Sequence, residues 1–128
     1  MSLCVSRTIL KFIVLSNLLS LPDLISNLKA AAEATRLRIL ILLSKGEMTV
    51  KDLTHVLQQS QPRISRHLKL LNEAGLVERF KEGSWVYFHV SERSVGGELV
   101  RKILEKLDRM DPPIRQDLSL IHISEPTR

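Results

Sequence analysis

One short window of the 128-residue chain concentrates side chains that donate hydrogen bonds and carry positive charge. Its polar members are Ser60, Gln61, Arg63, Ser65, Arg66, His67 and Lys69. No carboxylate lies inside this window, and the nearest acids are Asp52 and Glu73. A solvated helix face usually mixes charges of both signs, so the bias toward cations indicates an anionic partner.

The residue types in this window suit the edges of DNA bases. Arginine can bind guanine through two hydrogen bonds, and glutamine can bind adenine in the same way. Apolar residues recur behind them at helical spacing, namely Ile64, Leu68 and Leu71. The pattern predicts a helix with an apolar back and a cationic front, which is the shape that enters a DNA major groove. The ordinary alternative is a solvated surface helix.

The preceding sequence predicts two helices that support this one. The first begins at Pro22-Asp23 and continues through LISNLKAAAE. Thr35 is expected to cap the second, RLRILILLSK, which stops at Gly46. Since Ile39 to Leu43 are all apolar, the second helix is predicted to be buried on every side.

Capping residues predict a helix-turn-helix around the cationic window. Thr49 followed three residues later by Asp52 is a form of the capping box, and it should start the third helix. Gln58-Gln59 is the expected turn, and Ser60 the expected cap of the fourth helix. That helix should end at Ala74-Gly75-Leu76, because a glycine followed by a hydrophobic residue is typical of a Schellman motif.

The stretch LVERFKEGSWVYFHV predicts a β-hairpin, since Glu82-Gly83 divides two β-prone runs. Arg79 and Lys81 lie just before its tip and are candidate DNA contacts. The aromatic residues of the return strand are interpreted as hairpin and domain core rather than as base-stacking groups: Trp85, Tyr87 and Phe88.

The remaining sequence divides into a domain and two ends. ERSVGGELVRKILEKLDRM predicts a last helix that ends at Asp111-Pro112-Pro113, which gives a domain of residues 22–110. Residues 1–21 are interpreted as an extra N-terminal helix or a mis-called start, with a signal peptide as the alternative. Residues 111–128 are expected to be a tail, of which 119–128, SLIHISEPTR, are interpreted as non-native.

Composition and motifs indicate a binding protein rather than an enzyme. The net charge is +5, 44% of residues are hydrophobic, and the single cysteine excludes a disulfide within the chain, as suits the cytoplasm. The apolar run Phe12–Leu21 is too short to predict a membrane span. No catalytic residues, cofactor or metal site are expected, because the four histidines are not spaced as ligand pairs and Gly96-Gly97 is too weak a glycine motif.

The predicted order α-α-α-α-β-β-α, mainly α with a small β-hairpin, resembles the ArsR (SmtB-like) family of bacterial winged-helix repressors. AEATRLRILILLSKGEMTV (32–50) and SQPRISRHLKLLNEAGLVERFKEGSWVYF (60–88) carry the resemblance, which covers roughly residues 22–110. It implies a winged helix-turn-helix fold and a homodimer joined through the first and last helices, about 23–33 and 92–109.

The same resemblance implies a function and a set of contacts. A repressor of this family binds a palindromic operator in double-stranded DNA, with a wing that corresponds here to Arg79–Tyr87. The residues placed in the major groove are Gln61, Arg63, Ser65, Arg66 and His67.

Many relatives release DNA when they bind arsenic, zinc or cadmium. Their ligands are commonly a cysteine pair on the third helix, or aspartate and histidine pairs on the last. Here the third helix reads VKDLTHVL without cysteine, and residues 92–110 contain no histidine. The metals that switch those relatives are therefore not expected to bind in the same way.

Two other functions remain open at the level of sequence. The stretch ending in DRMDPPIRQDLS also resembles the front of fused proteins in which an ArsR-type domain precedes a SAM-dependent methyltransferase, so the chain is alternatively a regulatory N-terminal fragment of such an enzyme. The other alternative is a protein-interaction module that uses the winged-helix scaffold without DNA. The leading hypothesis is a sequence-specific DNA-binding repressor.

Overall fold

The computed structural model describes residues 18–124, with side chains up to residue 121. Within this range the elements follow one another in this order: α1 (Leu21–Ala31), α2 (Ala34–Lys45), α3 (Val50–Leu57), α4 (Gln61–Glu73), β1 (Val77–Glu82), β2 (Trp85–Val90), α5 (Val95–Leu104) and α6 (Pro112–Ser124). The predicted order of four helices, a hairpin and a helix is confirmed, with one further helix after it. The interpretation of residues 1–21 lies mainly outside the described residues.

Helix α2 is the centre of the fold, as its all-round apolar sequence predicts. Ile39 to Leu43 are each at most 3% exposed. Helices α1, α4, α5 and α6 and strand β2 all contact α2. Since burial of one large aliphatic side chain stabilises a protein by about 1.5–3 kcal/mol, this helix contributes a large share of the hydrophobic stabilisation.

The start of α2 differs from the prediction. Glu33, not Thr35, is the N-cap, because Glu33 has an extended backbone and its Oε2 accepts a hydrogen bond of 2.8 Å from the backbone N–H of Arg36. A carboxylate also suits the positive end of the helix dipole. Thr35 lies inside the helix, where its buried hydroxyl accepts a hydrogen bond of 3.1 Å from the side-chain amide of Gln59.

Local hydrogen bonds define the helix-turn-helix as the sequence predicts. Thr49 Oγ1 accepts from the N–H of Asp52 at 3.1 Å, and the N–H of Thr49 donates to Asp52 Oδ2 at 3.0 Å, which completes a capping box. Gln58 then turns the chain with a left-handed φ of 55°. Ser60 is the N-cap of α4, although its hydroxyl accepts no capping hydrogen bond.

Helix α4 ends in the predicted Schellman motif. The N–H of Leu76 donates to the carbonyl of Leu71 at 3.0 Å, and the N–H of Gly75 donates to that of Asn72 at 3.0 Å. Gly75 has a φ of 78°, a left-handed conformation that glycine adopts without a steric penalty. The motif directs the chain straight into β1.

Strands β1 and β2 form the expected antiparallel hairpin, with Glu82 opposite Trp85 and a two-residue turn between them. Phe88 is buried and exchanges two backbone hydrogen bonds with Met48, which attaches the base of the hairpin to the α2–α3 connection. The prediction of Phe88 as core is therefore confirmed. It is wrong for Trp85, which is 57% exposed and forms the last pair of the hairpin, beside its two-residue turn.

The carboxyl-terminal region contains two helices where one was predicted. Helix α5 ends at Leu104, and Pro112-Pro113, expected to end the domain, instead begin α6, since proline fits a first helical turn. Residues 112–124 therefore belong largely to a helix rather than to a tail. That residues 119–128 are non-native stays a prediction.

Helix α6 is attached to the centre of the fold by an apolar contact and an ion pair. Ile114 is buried in the core, and the buried carboxylate of Asp117 accepts from Arg38 Nε at 2.7 Å and from Arg38 Nη2 at 2.8 Å. This two-point geometry is the strongest form of an arginine–carboxylate pair. The hydrogen bond to Asp117 raises the pKa of Arg38, so the guanidinium stays charged.

The two glycines at the start of α5 allow close packing and do not form a cofactor loop. A Cβ at Gly97 would lie 2.0 Å from the carbonyl oxygen of Ser91, and a Cβ at Gly96 would lie 3.0 Å from the amide of Asn27 on α1. Both positions are buried. They bring α5 against α1 and against the end of β2.

We expect Gly97→Ala to lower the free energy of unfolding by at least about 2 kcal/mol, because the added methyl group overlaps backbone that cannot move away easily. Gly46→Ala is the matched control, since a Cβ there meets nothing within 4 Å. Urea denaturation measures both. Equal stability of the two variants would contradict the packing of α5 described above.

Candidate nucleic-acid interface

Helix α4 turns its apolar residues inward and its polar residues outward. Ile64, Leu68 and Leu71 are at most 1% exposed and join the core. Six of the predicted contact residues are exposed along the other side of the helix and at its start: Ser60, Gln61, Arg63, Ser65, Arg66 and Lys69. The structure therefore brings these six together on one surface, which we call the cationic face.

The amino end of α4 is shaped to receive an anion. Ser60, Pro62, Arg63 and Arg66 line an open depression of about 420 Å³ there, together with His67. The Ser60 hydroxyl makes no capping hydrogen bond, and the backbone N–H groups of Gln61 and Arg63 belong to the first turn, which has no partners inside the helix. Backbone N–H groups at a helix start, reinforced by guanidinium groups, bind phosphate.

His67 is the one predicted contact on α4 that is largely buried: it helps to line the depression, but its side chain is not exposed with the cationic face. Its side chain is only 13% exposed and points toward the α1–α2 connection. Its Nδ1 lies 3.4 Å from Arg36 Nη1 and 3.9 Å from Glu33 Oε2. The helical spacing of the sequence could not separate His67 from its exposed neighbours, because the residues that cover it come from another helix.

The electrostatics around His67 favour its neutral form. Desolvation lowers the pKa of His67, and the positive charges of Arg36, Arg63 and Arg66 lower it further, whereas Glu33 opposes them. For Glu33, burial would raise the pKa, but the backbone N–H groups of Arg36 and Thr35 and the nearby positive charges lower it on balance. Neutral His67 and ionised Glu33 therefore lie side by side behind the cationic face.

The hairpin offers a second cationic surface. Arg79 and Lys81 are exposed on β1, and the strand register places them on the same side of the sheet as Phe88 and Val86. Both side chains are exposed, although Phe88 opposite Arg79 is buried and Val86 opposite Lys81 packs against the core. Trp85 at the tip was not predicted as a contact residue, although its place beside a two-residue turn is a signal of exposure.

The described residues contain no group of three or more His, Cys, Asp or Glu side chains that could hold a metal ion. His55 is exposed on α3, and His89 lies on the hairpin with its ring 5.2 Å from that of Phe80. Cys4 lies outside the described residues. Among the described helices, none is long and apolar enough to cross a membrane.

A helix-turn-helix followed directly by a β-hairpin defines the winged helix-turn-helix class of protein. The family model described as bacterial regulatory proteins of the arsR family matches residues 33–79, which include α2, α3, α4 and the start of β1. An uncharacterised helix-turn-helix transcriptional regulator of Methanocaldococcus jannaschii is 36% identical over 83 residues, which are 64% of this chain and 88% of that protein. The chain belongs to the ArsR family.

Two further similarities show how far the likeness extends. The arsenical resistance operon repressor of Escherichia coli is 53% identical over 64 residues, and the chain spans only about half of that protein, 55% of its length. A homodimeric winged helix-turn-helix DNA-binding domain from Mycobacterium bovis, a possible ArsR-family regulator, superposes with a TM-score of 0.58 at 30% identity. That match covers 67% of this chain and 82% of the other. The resemblance stated from the sequence is confirmed.

Proposed function

We propose that this protein is a sequence-specific DNA-binding transcriptional regulator, a repressor that binds a palindromic operator in the cytoplasm as a homodimer. The observation that carries the proposal is the cationic face of α4. It gathers three full positive charges, from Arg63, Arg66 and Lys69, with no carboxylate between Ser60 and Lys69. No catalytic or cofactor chemistry is part of the proposal.

The arrangement of α4 supports base reading at its amino end. Gln61 and Arg63 lie in the first turn, where a groove-reading helix places its base contacts. Arg66 and Lys69 follow further along the same side, within reach of base edges or phosphates. Ser60 and Ser65 add hydroxyl groups that hydrogen-bond to phosphate or to bases.

The hairpin supports a second contact with the DNA backbone. Arg79 and Lys81 carry positive charges on β1. Among the described residues, neither belongs to an ion pair. A wing of this kind reaches phosphates beside the groove that the helix occupies. Each such phosphate contact makes the affinity depend on salt, because bound counterions are released from the DNA.

Exposed apolar residues support a homodimer. Leu21, Ile25 and Leu28 are 70%, 43% and 45% exposed, and their spacing of four and three residues forms one row along α1. Ile103 on α5 and Met110 beyond it are also exposed, at 42% and 65%. Pairing with a second copy would remove this apolar surface from water, and two copies would read the two halves of a palindrome.

Arsenic sensing is not part of the proposal, although relatives are named for arsenical resistance. Helix α3 reads VKDLTHVL and has no cysteine at the positions where such relatives commonly hold the metal. His67 is not proposed as a groove contact either, because its ring lies behind the cationic face. The proposed DNA contacts are therefore Ser60, Gln61, Arg63, Ser65, Arg66 and Lys69 on α4, with Arg79 and Lys81 on the wing.

We expect replacement of both Arg63 and Arg66 by alanine to abolish sequence-selective binding, because two exposed donors to bases and phosphates are lost. The slope of log affinity against log salt should fall by about 1 for each lost phosphate contact. Gel shifts on the protein's own promoter region at several salt concentrations measure both quantities.

The matched control for this pair is replacement of Lys45 and Arg115 by alanine, which removes two exposed cations outside α4 and the wing. The control should bind as the wild type does. If the two double variants lost affinity equally, general charge rather than the cationic face would govern binding. A wild-type protein that shows no sequence-selective shift would overturn the proposed function.

We expect operator DNA to change the fluorescence of Trp85, the only tryptophan in the chain, because the proposed wing contact covers its exposed ring. Acrylamide quenching should decrease on addition of operator. The variant with Arg79 and Lys81 both replaced by alanine should lose this protection while its α4 still selects sequence. Unchanged quenching of the wild type in the complex would place the wing away from DNA.

We expect Ile25→Glu to weaken the dimer at least about tenfold, because a carboxylate would be desolvated in the apolar row. Ser26→Glu is the matched control, since it adds the same charge to the neighbouring exposed position outside that row. Sedimentation equilibrium measures both dissociation constants. Equal dissociation constants would locate the dimer contact elsewhere.

A further inference from the structure

Arg36 stands at the junction of three helices and donates hydrogen bonds in two directions. Its Nε donates to the carbonyl of Ala30 at 2.6 Å, and its Nη2 donates to that of Lys29 at 3.5 Å, both at the carboxyl end of α1. Its Nη1 lies 3.4 Å from Nδ1 of His67 on α4. A single guanidinium on α2 thus connects the helix of the proposed dimer contact with the helix of the cationic face.

The chemistry of arginine determines the state of His67 in this contact. A guanidinium has five N–H donors and no acceptor, so Nδ1 of His67 must offer a lone pair to it. The ring is then neutral and carries its proton on Nε2. The lowered pKa of His67 agrees with this geometry.

Protonation would change the hydrogen-bond partner that Nδ1 of His67 prefers. With a proton on Nδ1, His67 can no longer accept from Arg36 and is repelled by it, while Glu33 Oε2 at 3.9 Å becomes the available partner. The charged groups that face the ring are Glu33 and Arg36 from the α1–α2 side, and Arg63 and Arg66 from α4 itself. All three arginines oppose protonation, and Glu33 favours it.

A second hydrogen bond connects the turn between α3 and α4 to the start of α2. The side-chain amide of Gln59, just before α4, donates to Thr35 Oγ1 on α2 at 3.1 Å. Helix α4 is therefore held to the start of α2 at two levels, by Gln59 before its first turn and by His67 in its middle. Of these two contacts, only the one with Arg36 also involves α1, because Arg36 donates to the carbonyls of Ala30 and Lys29.

We propose that Arg36 is a positioning residue for DNA reading, which fixes the orientation of α4 relative to α1 by donating to neutral His67. This inference rests on the proposed function, because it assigns the contact a role in the use of the cationic face. In a dimer joined through α1, the contact transmits the position of α1 to the reading helix of each protomer. Arg36 touches no base in this arrangement.

Protonation of His67 should affect sequence-specific and non-specific DNA binding differently. Protonation adds a positive charge beside the cationic face, which by itself strengthens attraction to any DNA. It also breaks the Arg36–His67 bond, so the orientation that sequence reading requires is lost. Affinity for operator should therefore fall relative to affinity for random DNA. A change in charge alone would alter both affinities alike and leave their ratio unchanged.

The first test uses the protein without DNA. Long-range ¹H–¹⁵N NMR spectra should show His67 as the neutral tautomer with its proton on Nε2 at about pH 7.5, with a pKa below the ordinary value of about 6.5. In Arg36→Gln, the pKa of His67 should rise, because one opposing charge is gone and Glu33 remains. A proton on Nδ1 in the neutral wild-type ring, or an unchanged pKa in Arg36→Gln, would overturn the proposal.

The second test measures the affinity ratio between a duplex selected from random DNA by the wild-type protein and a scrambled duplex. Between about pH 7.5 and a pH about one unit below the pKa that the NMR titration gives for His67, the wild-type ratio should fall about tenfold, as expected for loss of a hydrogen bond to a charged group. His67→Asn should keep its ratio at both pH values, since its Oδ1 occupies the place of Nδ1 and does not titrate. His67→Leu should show the low ratio at both.

His55→Asn is the matched control, because His55 is exposed on α3, and it should show the wild-type pH dependence. Circular dichroism melts confirm that each variant is folded at both pH values. A wild-type ratio that does not change with pH, or a His67→Asn ratio that falls as the wild type's does, contradicts the role of Arg36. If the wild type selects no sequence even at about pH 7.5, the proposed function fails, while the NMR spectra still decide the Arg36–His67 contact.

Discussion

The burial of α2 is the constraint on which the rest of the structure depends. A helix that is apolar from Ile39 to Leu43 on every side has to be covered from every side, and α1, α4, α5, α6 and β2 each cover part of it. Helix α4 does so with Ile64, Leu68 and Leu71. Because its apolar side is used in this way, the cations of α4 can only face outward.

Local caps then make the outward face a fixed surface rather than a flexible one. The capping box at Thr49, the left-handed turn at Gln58 and the Schellman motif at Gly75 determine where α3 and α4 begin and end. Side chains held on a rigid helix lose less conformational entropy on binding than side chains on a loop. The cationic face is therefore organised before any DNA is present.

Helices α1 and α6 flank the helix-turn-helix and attach to it through arginines of α2. Arg38 holds the buried carboxylate of Asp117 on α6, and Arg36 connects the carbonyls at the end of α1 with His67 on α4. Two arginines only two positions apart on one central helix thus connect both flanking helices to the core. A displacement of α1 would reach α4 through the Arg36 contact, whereas α6 is held independently of it.

Sequence alone determined the features that depend on neighbours a few residues apart. The buried character of α2, the capping box, the Schellman stop, the hairpin and the acid-free window of α4 all follow from such short-range patterns. Only the tertiary structure decided that Glu33 rather than Thr35 caps α2, that His67 turns inward, that Trp85 is exposed and that residues 112–124 form a packed helix. The inward turn of His67, the packing of residues 112–124 and the bond that holds Thr35 inside α2 depend on partners distant in sequence, namely Arg36, Arg38 and Gln59. No local spacing specifies which distant groups the fold brings together.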